Sequence, residues 1–200
     1  MGITTEQVKE LRARTGAGVL ETKNALVETD GDVDAAVELL RERGLAKAAK
    51  KASREASEGR VLSYIHGDPG RIGVLLEINC ETDFVARTEA FQDFAHELAM
   101  QIAATNPGWV SEEDVPEAIL DRETEIVRLQ LAEEKKPPEI VERIVEGKIG
   151  KWLDEQVLLR QAYMRDDEKT VQDLITAKIA ELGENIKVRR FARYELGEGL

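Results

Sequence analysis

The spacing of apolar residues changes from a helical period to a strand period near residue 55, and this change limits the fold classes open to the chain. Before that point, apolar residues recur three and four positions apart, as in Val33, Ala36, Val37 and Leu40. After it, they alternate along a short segment, as in Ile72, Val74, Leu76 and Ile78. The chain therefore joins a helical segment to one that contains strands, and we predict an α+β protein.

Three helix patterns fill the first part of the chain. Thr4 and Gln7 have the spacing of a capping box, which predicts a helix start. The sequences TGAG and DGD predict two breaks, and Gly44 predicts the end of the third helix. We expect residues 1–54 to form an N-terminal three-helix bundle, similar to ubiquitin-associated domains, that ends in an Ala/Lys-rich connector.

Residues 55–200 carry the strand patterns and are expected to form the core domain. RVLSYIH and RIGVLLEIN flank the turn sequence GDPG, which predicts a β-hairpin, and NIKVRRFARYEL supplies a third strand candidate. Two amphipathic helix patterns lie between them, with apolar faces within residues 91–102 and 171–182. We expect a small antiparallel sheet covered by helices on one face.

A further pair of helix patterns follows Glu112. The first runs up to the sequence EEKK, and a PP break at 137 and 138 separates it from the second. The second pattern has five apolar residues that are expected to line a seam: Ile140, Ile144, Ile149, Trp152 and Leu153. Two helices joined in this way predict a projecting helical hairpin.

Charge and apolar content exclude several classes of protein. No run reaches the roughly 18–20 apolar residues of a membrane span. The N-terminus lacks the apolar core of a signal peptide, so we expect a cytoplasmic protein without membrane contact. A net charge of −12 argues against a general nucleic-acid binder. The segment 41–60, with seven basic and three acidic residues, is either a solvated helix and linker or a local RNA contact.

Motifs for catalysis are missing from the sequence: there is no P-loop, dinucleotide-binding glycine fingerprint, GxSxG or HExxH. His66, His96 and Cys80 do not have metal-ligand spacing, and Cys80 lies among apolar residues, as a small buried thiol does. We expect no catalytic residues, no cofactor and no metal site. The enzymatic alternative is an acid–base hydrolase, whose carboxyl pair cannot be singled out among 40 acidic residues.

The sequence NCETDFVAR, at 79–87, leads from a strand pattern directly into a helix pattern. One interpretation makes Asp83 the N-terminal cap of the helix and Phe84 its first core residue. The other leaves both side chains exposed for a function. The residues alone leave both interpretations open.

Two stretches resemble signature motifs of the bacterial translation elongation factor Ts family, the guanine-nucleotide exchange factors of the GTPase elongation factor Tu. They are LRARTGAGVLETKNAL at 11–26 and EINCETDFVAR at 77–87. The similarity extends to KAAKKA, to YIHG, to GENIKVRRF and to the terminal GEG, so it covers nearly the whole chain. Larger members of the family carry two copies of the core subdomain, whereas the hairpin and the TDFV sequence occur once here. The chain therefore resembles the short form of the family.

The resemblance implies a function without reaction chemistry. An exchange factor binds its GTPase most tightly when nucleotide and metal are absent, and reciprocity then makes it expel them. Asp83 and Phe84 match the intruding pair: the ring enters an apolar gap between helices of the GTPase, and the carboxylate disturbs the arrangement that holds Mg²⁺. Ten residues match positions that contact elongation factor Tu: Arg12, Val19, Leu20, His66, Thr82, Asp83, Phe84, Val85, Leu182 and Gly183.

Several of these residues also have a purely structural interpretation. Arg12 can be interpreted as an ordinary surface arginine, and Val19 as an ordinary core residue. Gly183 has the position of a helix stop, and His66 that of an exposed hairpin corner. These alternatives stay open at this point.

Two other functions fit the same sequence. One is a plain interaction module, in which the N-terminal bundle binds a peptide or a ubiquitin-like patch without altering nucleotide release. The other is a ribosome-associated or RNA-binding factor that uses segment 41–60 and loses affinity steeply with salt. The single core copy also predicts a homodimer, because two chains would restore the two-copy layout of longer members and cover exposed strand surface.

Overall fold

The computed structural model describes residues 3–132 and 137–199. The helices are α1 (Thr5–Thr15), α2 (Val19–Glu28), α3 (Val33–Lys51), α4 (Asp83–Ala86), α5 (Glu89–Thr105), α6 (Glu117–Leu131), α7 (Pro138–Gln156) and α8 (Val171–Leu182). The strands are β1 (Glu58–His66), β2 (Ile72–Cys80), β3 (Ala162–Tyr163), β4 (Asp166–Thr170) and β5 (Ile186–Glu195). The predicted α+β class is confirmed.

The chain divides into two compact units. The first unit runs up to Leu62 and adds Glu77–Ala95 and Asp173–Arg189. The second unit consists of Ser63–Leu76, His96–Gln172 and the chain from Arg190 onward. Among the described residues, none of the helices combines the length and the apolar character needed to cross a bilayer.

The N-terminal bundle of the first unit has the predicted helices and breaks. Thr4 forms the predicted capping box: its Oγ1 accepts the N–H of Gln7 at 3.2 Å, and its N–H donates to Gln7 Oε1 at 2.8 Å. Gly16 ends α1 at φ +67°, in the left-handed region that glycine tolerates. The three helices enclose a core of small and branched side chains: Val8, Leu11, Ala25, Leu26, Ala36 and Leu40.

The predicted stop at Gly44 is wrong, because α3 continues through it to Lys51. Gly44 is buried, and a Cβ at this position would lie 3.8 Å from the Cβ of Ala180 in α8. Packing against α8, together with the alanine-rich turns that follow, outweighs the roughly 1 kcal/mol that a glycine costs inside a helix. The end of α3 therefore reaches the turn that follows α8, where Lys51 donates to the carbonyl of Gly183.

The predicted hairpin and third strand form one antiparallel sheet with the order β1-β2-β5. In β2, alternate side chains are buried, namely Val74, Leu76, Ile78 and Cys80. The apolar face predicted for α5 is buried as well, at Phe91, Phe94, Ala95, Leu98 and Ile102. These burial patterns follow the strand and helix periods of the sequence.

In the second unit, α6 and α7 pack against each other as the predicted helical hairpin. Leu131, Val145 and Leu153 are its buried residues, whereas Ile140, predicted in the seam, is exposed. Five helical residues separate Ile140 from Val145, a rotation of roughly 140° that turns Ile140 away from the seam. The predicted helical sequence EEKK lies outside the described residues.

The second unit also contains a small sheet that the sequence did not predict. β3 pairs antiparallel with β4, with Ala162 opposite Thr170 and Tyr163 opposite Asp166. Its strands are short and most of their residues are charged. They therefore lack the alternating apolar residues and the enrichment in β-branched residues from which a strand is predicted.

Candidate partner-binding tip

The junction between β2 and α5 forms an exposed tip, which we define as residues 82–87. α4 is a single turn of four residues, and Ala86 is the buried one among them. Phe84 is 79% exposed, as predicted for a functional side chain. Its interpretation as a core residue is wrong, because one helical turn offers a single inward position and Ala86 occupies it.

Thr82, not Asp83, is the N-cap of α4. Thr82 has extended backbone geometry, and its Oγ1 accepts the N–H of Val85 at 3.3 Å. Asp83, the first residue of the helix, forms an ion pair with Arg87 at 2.8 Å, and its side chain remains 44% exposed. An exposed pair of this kind contributes little to stability, so the Asp83 carboxylate can be released at low cost.

The turn after α8 lies against the tip; we define this GENI turn as residues 183–186. Gly183 adopts φ +79° and donates its N–H to the carbonyl of Ile179 at 3.0 Å, which confirms the predicted helix stop. Leu182 is half-buried and Gly183 is exposed. Residues of both turns that were predicted as partner contacts are therefore brought together in the first unit.

Glu184 connects the GENI turn to the start of the tip. Its Oε2 accepts the N–H groups of Glu81 and Thr82, at 3.1 and 3.0 Å. Its Oε1 accepts the hydroxyl of Thr82 at 2.6 Å. The carboxylate thus satisfies three donors immediately before α4.

Glu81 makes the reciprocal connection. Its Oε1 accepts the N–H of Asn185 at 2.7 Å, and its Oε2 lies 3.4 Å from an Arg54 guanidinium nitrogen. The buried Asn185 side chain donates in turn to the carbonyls of Ala52 and Arg54, at 3.4 and 2.8 Å. Sequence reasoning missed Glu81, Glu184 and Asn185; the only signal was that Glu81 falls inside the resembling stretch EINCETDFVAR, and Glu184 and Asn185 inside GENIKVRRF.

Cys80 lies beneath the tip and is fully buried, as predicted. Its Sγ donates to the carbonyl of Thr82 at 3.2 Å. Burial, and secondly the negative charge of Glu184, raise the pKa of this thiol from 9.0 to about 11.

We expect the free energy of unfolding to depend on pH in the way that the raised pKa of Cys80 predicts. The folded protein keeps the thiol protonated between pH 9 and 11, whereas the unfolded chain releases the proton from its ordinary pKa of 9.0. The contribution to the free energy of unfolding is therefore complete below pH 9 and is lost as the pH rises towards 11. Urea unfolding of wild type and Cys80→Ala at pH 7, 9 and 10.5 tests this. The wild type should lose more stability than the variant over that range, and parallel curves would contradict the assignment.

A groove between α1 and α2 is lined by two of the three predicted N-terminal contact residues, Arg12 and Val19, and Leu20 lies in an adjacent depression that Val19 also lines. The groove has a volume of about 820 Å³, and Val19 lines it with Val27. Val19 is 47% exposed and Leu20 74%, so the interpretation of Val19 as a core residue is wrong. Arg12 also lines the groove, and its Nε donates to the carbonyl of Ala17 at 3.3 Å. The groove therefore combines exposed apolar side chains with basic ones, since Lys9 and Lys23 line it as well as Arg12.

His66 is exposed at the end of β1. Its Nδ1 lies 2.8 Å from the hydroxyl of Tyr64, whose ring meets His96 edge-on at 5.1 Å between centroids. His66 belongs to the second unit, whereas the other nine predicted contact residues belong to the first.

The basic segment 41–60 is largely occupied by contacts within the protein. Arg41 lies 3.6 Å from Asp173, and Arg54 lies 3.4 Å from Glu81. Three further cations have acceptors of their own: Arg43 pairs with Glu28, Lys47 with Glu21, and Lys51 donates to the carbonyl of Gly183. Within residues 3–132 and 137–199, no group of three or more His, Cys, Asp or Glu side chains is placed to hold a metal ion.

Comparison with known proteins identifies the family. Residues 28–198 match the family described as Elongation factor TS. The elongation factor Ts of Caldanaerobacter subterraneus subsp. tengcongensis is 58% identical over 198 residues, which cover 99% of this chain and 98% of the relative. Those of Syntrophomonas wolfei and Thermosipho melanesiensis are 58% and 53% identical, over 99% and 98% of this chain and 92% and 100% of their own lengths. The chain belongs to the elongation factor Ts family.

Proposed function

We propose that this chain promotes the release of GDP and Mg²⁺ from the GTPase elongation factor Tu during protein synthesis, and that Phe84 and Asp83 enter the GTPase. The observation that supports these roles is the 79% exposure of Phe84 on a single helical turn. An apolar ring of this size is usually buried, and exposed aromatic anchors are typical of binding surfaces. Asp83 supplies a carboxylate next to it.

The physical basis of exchange is thermodynamic coupling. If the factor and the nucleotide each weaken the binding of the other, both effects have the same coupling free energy. The Phe84 ring gains buried apolar contact only in the GTPase conformation that opens a gap for it. The factor therefore stabilises the state that has released its nucleotide, and no bond needs to be made or broken.

Release of a fluorescent GDP analogue from elongation factor Tu tests this function. We expect micromolar amounts of the protein to accelerate release well above the spontaneous rate. Tight binding without acceleration would favour a plain interaction module. An unchanged rate without binding would contradict the proposed function.

The N-terminal groove and the adjoining Leu20 are proposed as the affinity surface. Val19 and Leu20 present apolar area to the GTPase, and Arg12 adds a charge at the edge. We further propose that residues 1–54 serve as the GTPase-contacting module and residues 55–200 as the exchange and dimerisation core. Leu182, Gly183 and His66 are proposed as additional contacts. A factor of translation acts in the cytoplasm, where we place this chain.

The RNA-binding alternative is less well supported than exchange. Five of the seven basic residues in segment 41–60 already contact acceptors of the protein. An RNA phosphate would have to compete with these contacts, and the net charge of −12 opposes its approach. We therefore propose no direct nucleic-acid binding.

We also propose that two chains associate through the open face of the sheet. Ile65 and Leu75 are 63% and 51% exposed. They lie on one face, because a Cβ on Gly73 would meet Ile65 Cδ1 at 3.3 Å, while the adjacent Tyr64 side chain points to His96 of α5. A second copy of this face is the occupant, since a two-fold axis covers both with the same residues.

Sedimentation velocity at micromolar concentration under reducing conditions is expected to show a dimer. Leu75→Glu places a charge at the centre of the proposed contact and should yield monomers. Leu129→Glu, at an exposed leucine of α6, is the matched control and should remain dimeric. A monomeric wild type would contradict the dimer and leave the exchange function standing. Cys80 is buried, so the dimer does not depend on a disulfide.

A further inference from the structure

The short helix that carries Phe84 lacks the length to hold its own orientation. α4 has four residues, and an isolated helix of that size is unstable in water. Phe84 is mostly exposed, so its side chain does little to anchor the turn. The direction of the ring is therefore decided by whatever fixes the backbone at the start of the helix.

Glu184 is the group that fixes it. We infer that Glu184 is a positioning residue for exchange, which orients Phe84 by holding the backbone of residues 81 and 82 and the hydroxyl of Thr82. The inference rests on the proposed exchange function. It extends that function to a residue outside the exposed contact set.

The hydrogen bonds define a directed chain from Glu184 to the helix. Glu184 Oε1 accepts the proton of the Thr82 hydroxyl at 2.6 Å. The hydroxyl oxygen then presents a lone pair to the N–H of Val85, which caps α4 at 3.3 Å. Glu184 Oε2 holds the two preceding N–H groups at 3.1 and 3.0 Å. The carboxylate thus fixes both the path of the chain into α4 and the direction of the cap.

The GENI turn that carries Glu184 is itself well fixed. Asn185 is 1% exposed, and its side-chain amide donates to the carbonyls of Ala52 and Arg54 at the end of α3. Its backbone N–H donates to Glu81 at 2.7 Å. The hydrogen bonds of this buried amide therefore fix the position of the tip. Preorganisation of this kind reduces the conformational entropy that is lost when Phe84 binds.

Two substitutions separate positioning from direct contact. Glu184→Ala removes both acceptor oxygens and therefore all three hydrogen bonds. Glu184→Gln retains the geometry, because its oxygen can accept both N–H groups and its amide can donate to the Thr82 hydroxyl, which still caps Val85. We expect Glu184→Ala to lower the maximal rate of GDP release about tenfold, which corresponds to about 1.4 kcal/mol. Glu184→Gln should restore most of that rate.

A double-substitution cycle tests whether the effect passes through Phe84. If Glu184 acts by orienting the ring, Glu184→Ala should have little further effect on maximal exchange in a Phe84→Ala background. A general loss of folding would lower both backgrounds equally. Additive losses would therefore overturn the inference, even if Glu184→Ala also lowers the melting temperature.

Amide hydrogen exchange measures the same contacts without the GTPase. The N–H groups of residues 81 and 82 should exchange about tenfold faster in Glu184→Ala and close to the wild-type rate in Glu184→Gln. Unchanged protection in Glu184→Ala would overturn the inference. So would a glutamine variant as defective in GDP release as the alanine variant, because that result assigns Glu184 a charge contact with the partner. A wild type that never accelerates release would instead refute the proposed function, whatever the amide rates.

Discussion

Replacing Phe84 with alanine is expected to lower the maximal rate of GDP release from elongation factor Tu by about 30-fold or more, the loss typical of a hot-spot aromatic. The ring is largely exposed in the free protein, so its loss removes few internal contacts. The melting temperature should accordingly change by less than about 2 °C. Stopped-flow release of fluorescent GDP and thermal unfolding measure the two quantities.

Tyr194→Ala is the matched control for this variant. Tyr194 is an aromatic residue of similar exposure on β5, outside the tip and the GENI turn. Its replacement should leave the release rate within about twofold of wild type, as is usual for a surface residue without a binding role. If Phe84→Ala unfolds the protein, or if both variants retain full exchange, the intruding role of Phe84 is excluded.

The double variant Val19→Ser, Leu20→Ser is expected to raise the concentration for half-maximal exchange by about 30-fold or more. Burial of two apolar side chains of this size in the complex contributes roughly 2 kcal/mol or more to the binding free energy. The serine variant lacks this contribution. The maximal rate at saturation should remain near wild type, because the Phe84 tip is intact. Serine is accepted in the first turn of a helix, so α2 should stay folded.

Leu45→Ser provides the control within the same bundle. Leu45 is as exposed as Val19 but lies on α3, away from the lining of the groove. It should change neither the half-maximal concentration nor the maximal rate. A double variant with unchanged half-maximal concentration would make Val19 and Leu20 structural only. A lowered maximal rate would instead give the groove a part in nucleotide release itself.

Much of the fold follows from local sequence patterns, namely glycine-containing breaks and turns together with apolar periodicity. Glycine-containing sequences predict the helix breaks near Gly16 and Gly31 and the hairpin turn at GDPG. The spacing of apolar residues predicts the buried faces of β2 and α5. The continuation of α3 through Gly44 does not follow from local sequence. The burial of Gly44 against Ala180 is a contact between residues far apart in sequence, and no local pattern contains it.

The tip illustrates the same limit at the functional site. From the residues alone, Phe84 fits the first core position of a long helix. The helix instead stops after one turn, and α5 begins separately at Glu89. Its exposure was predicted by resemblance to a family, not by the apolar pattern. Glu184 was missed because it meets Thr82 across 102 positions of the chain, and a single useful carboxylate cannot be recognised among 40.

The contact between Asn185 and the end of α3 bears on how this protein can be divided into fragments. The amide is buried and takes the carbonyls of Ala52 and Arg54 as its acceptors. A fragment that starts at residue 55 lacks both carbonyls, and an unpaired buried amide costs roughly 1–3 kcal/mol. A fragment that retains the last turns of α3 keeps this amide satisfied. The practical cutting point for separate expression of the core therefore lies inside the third helix rather than in the connector behind it.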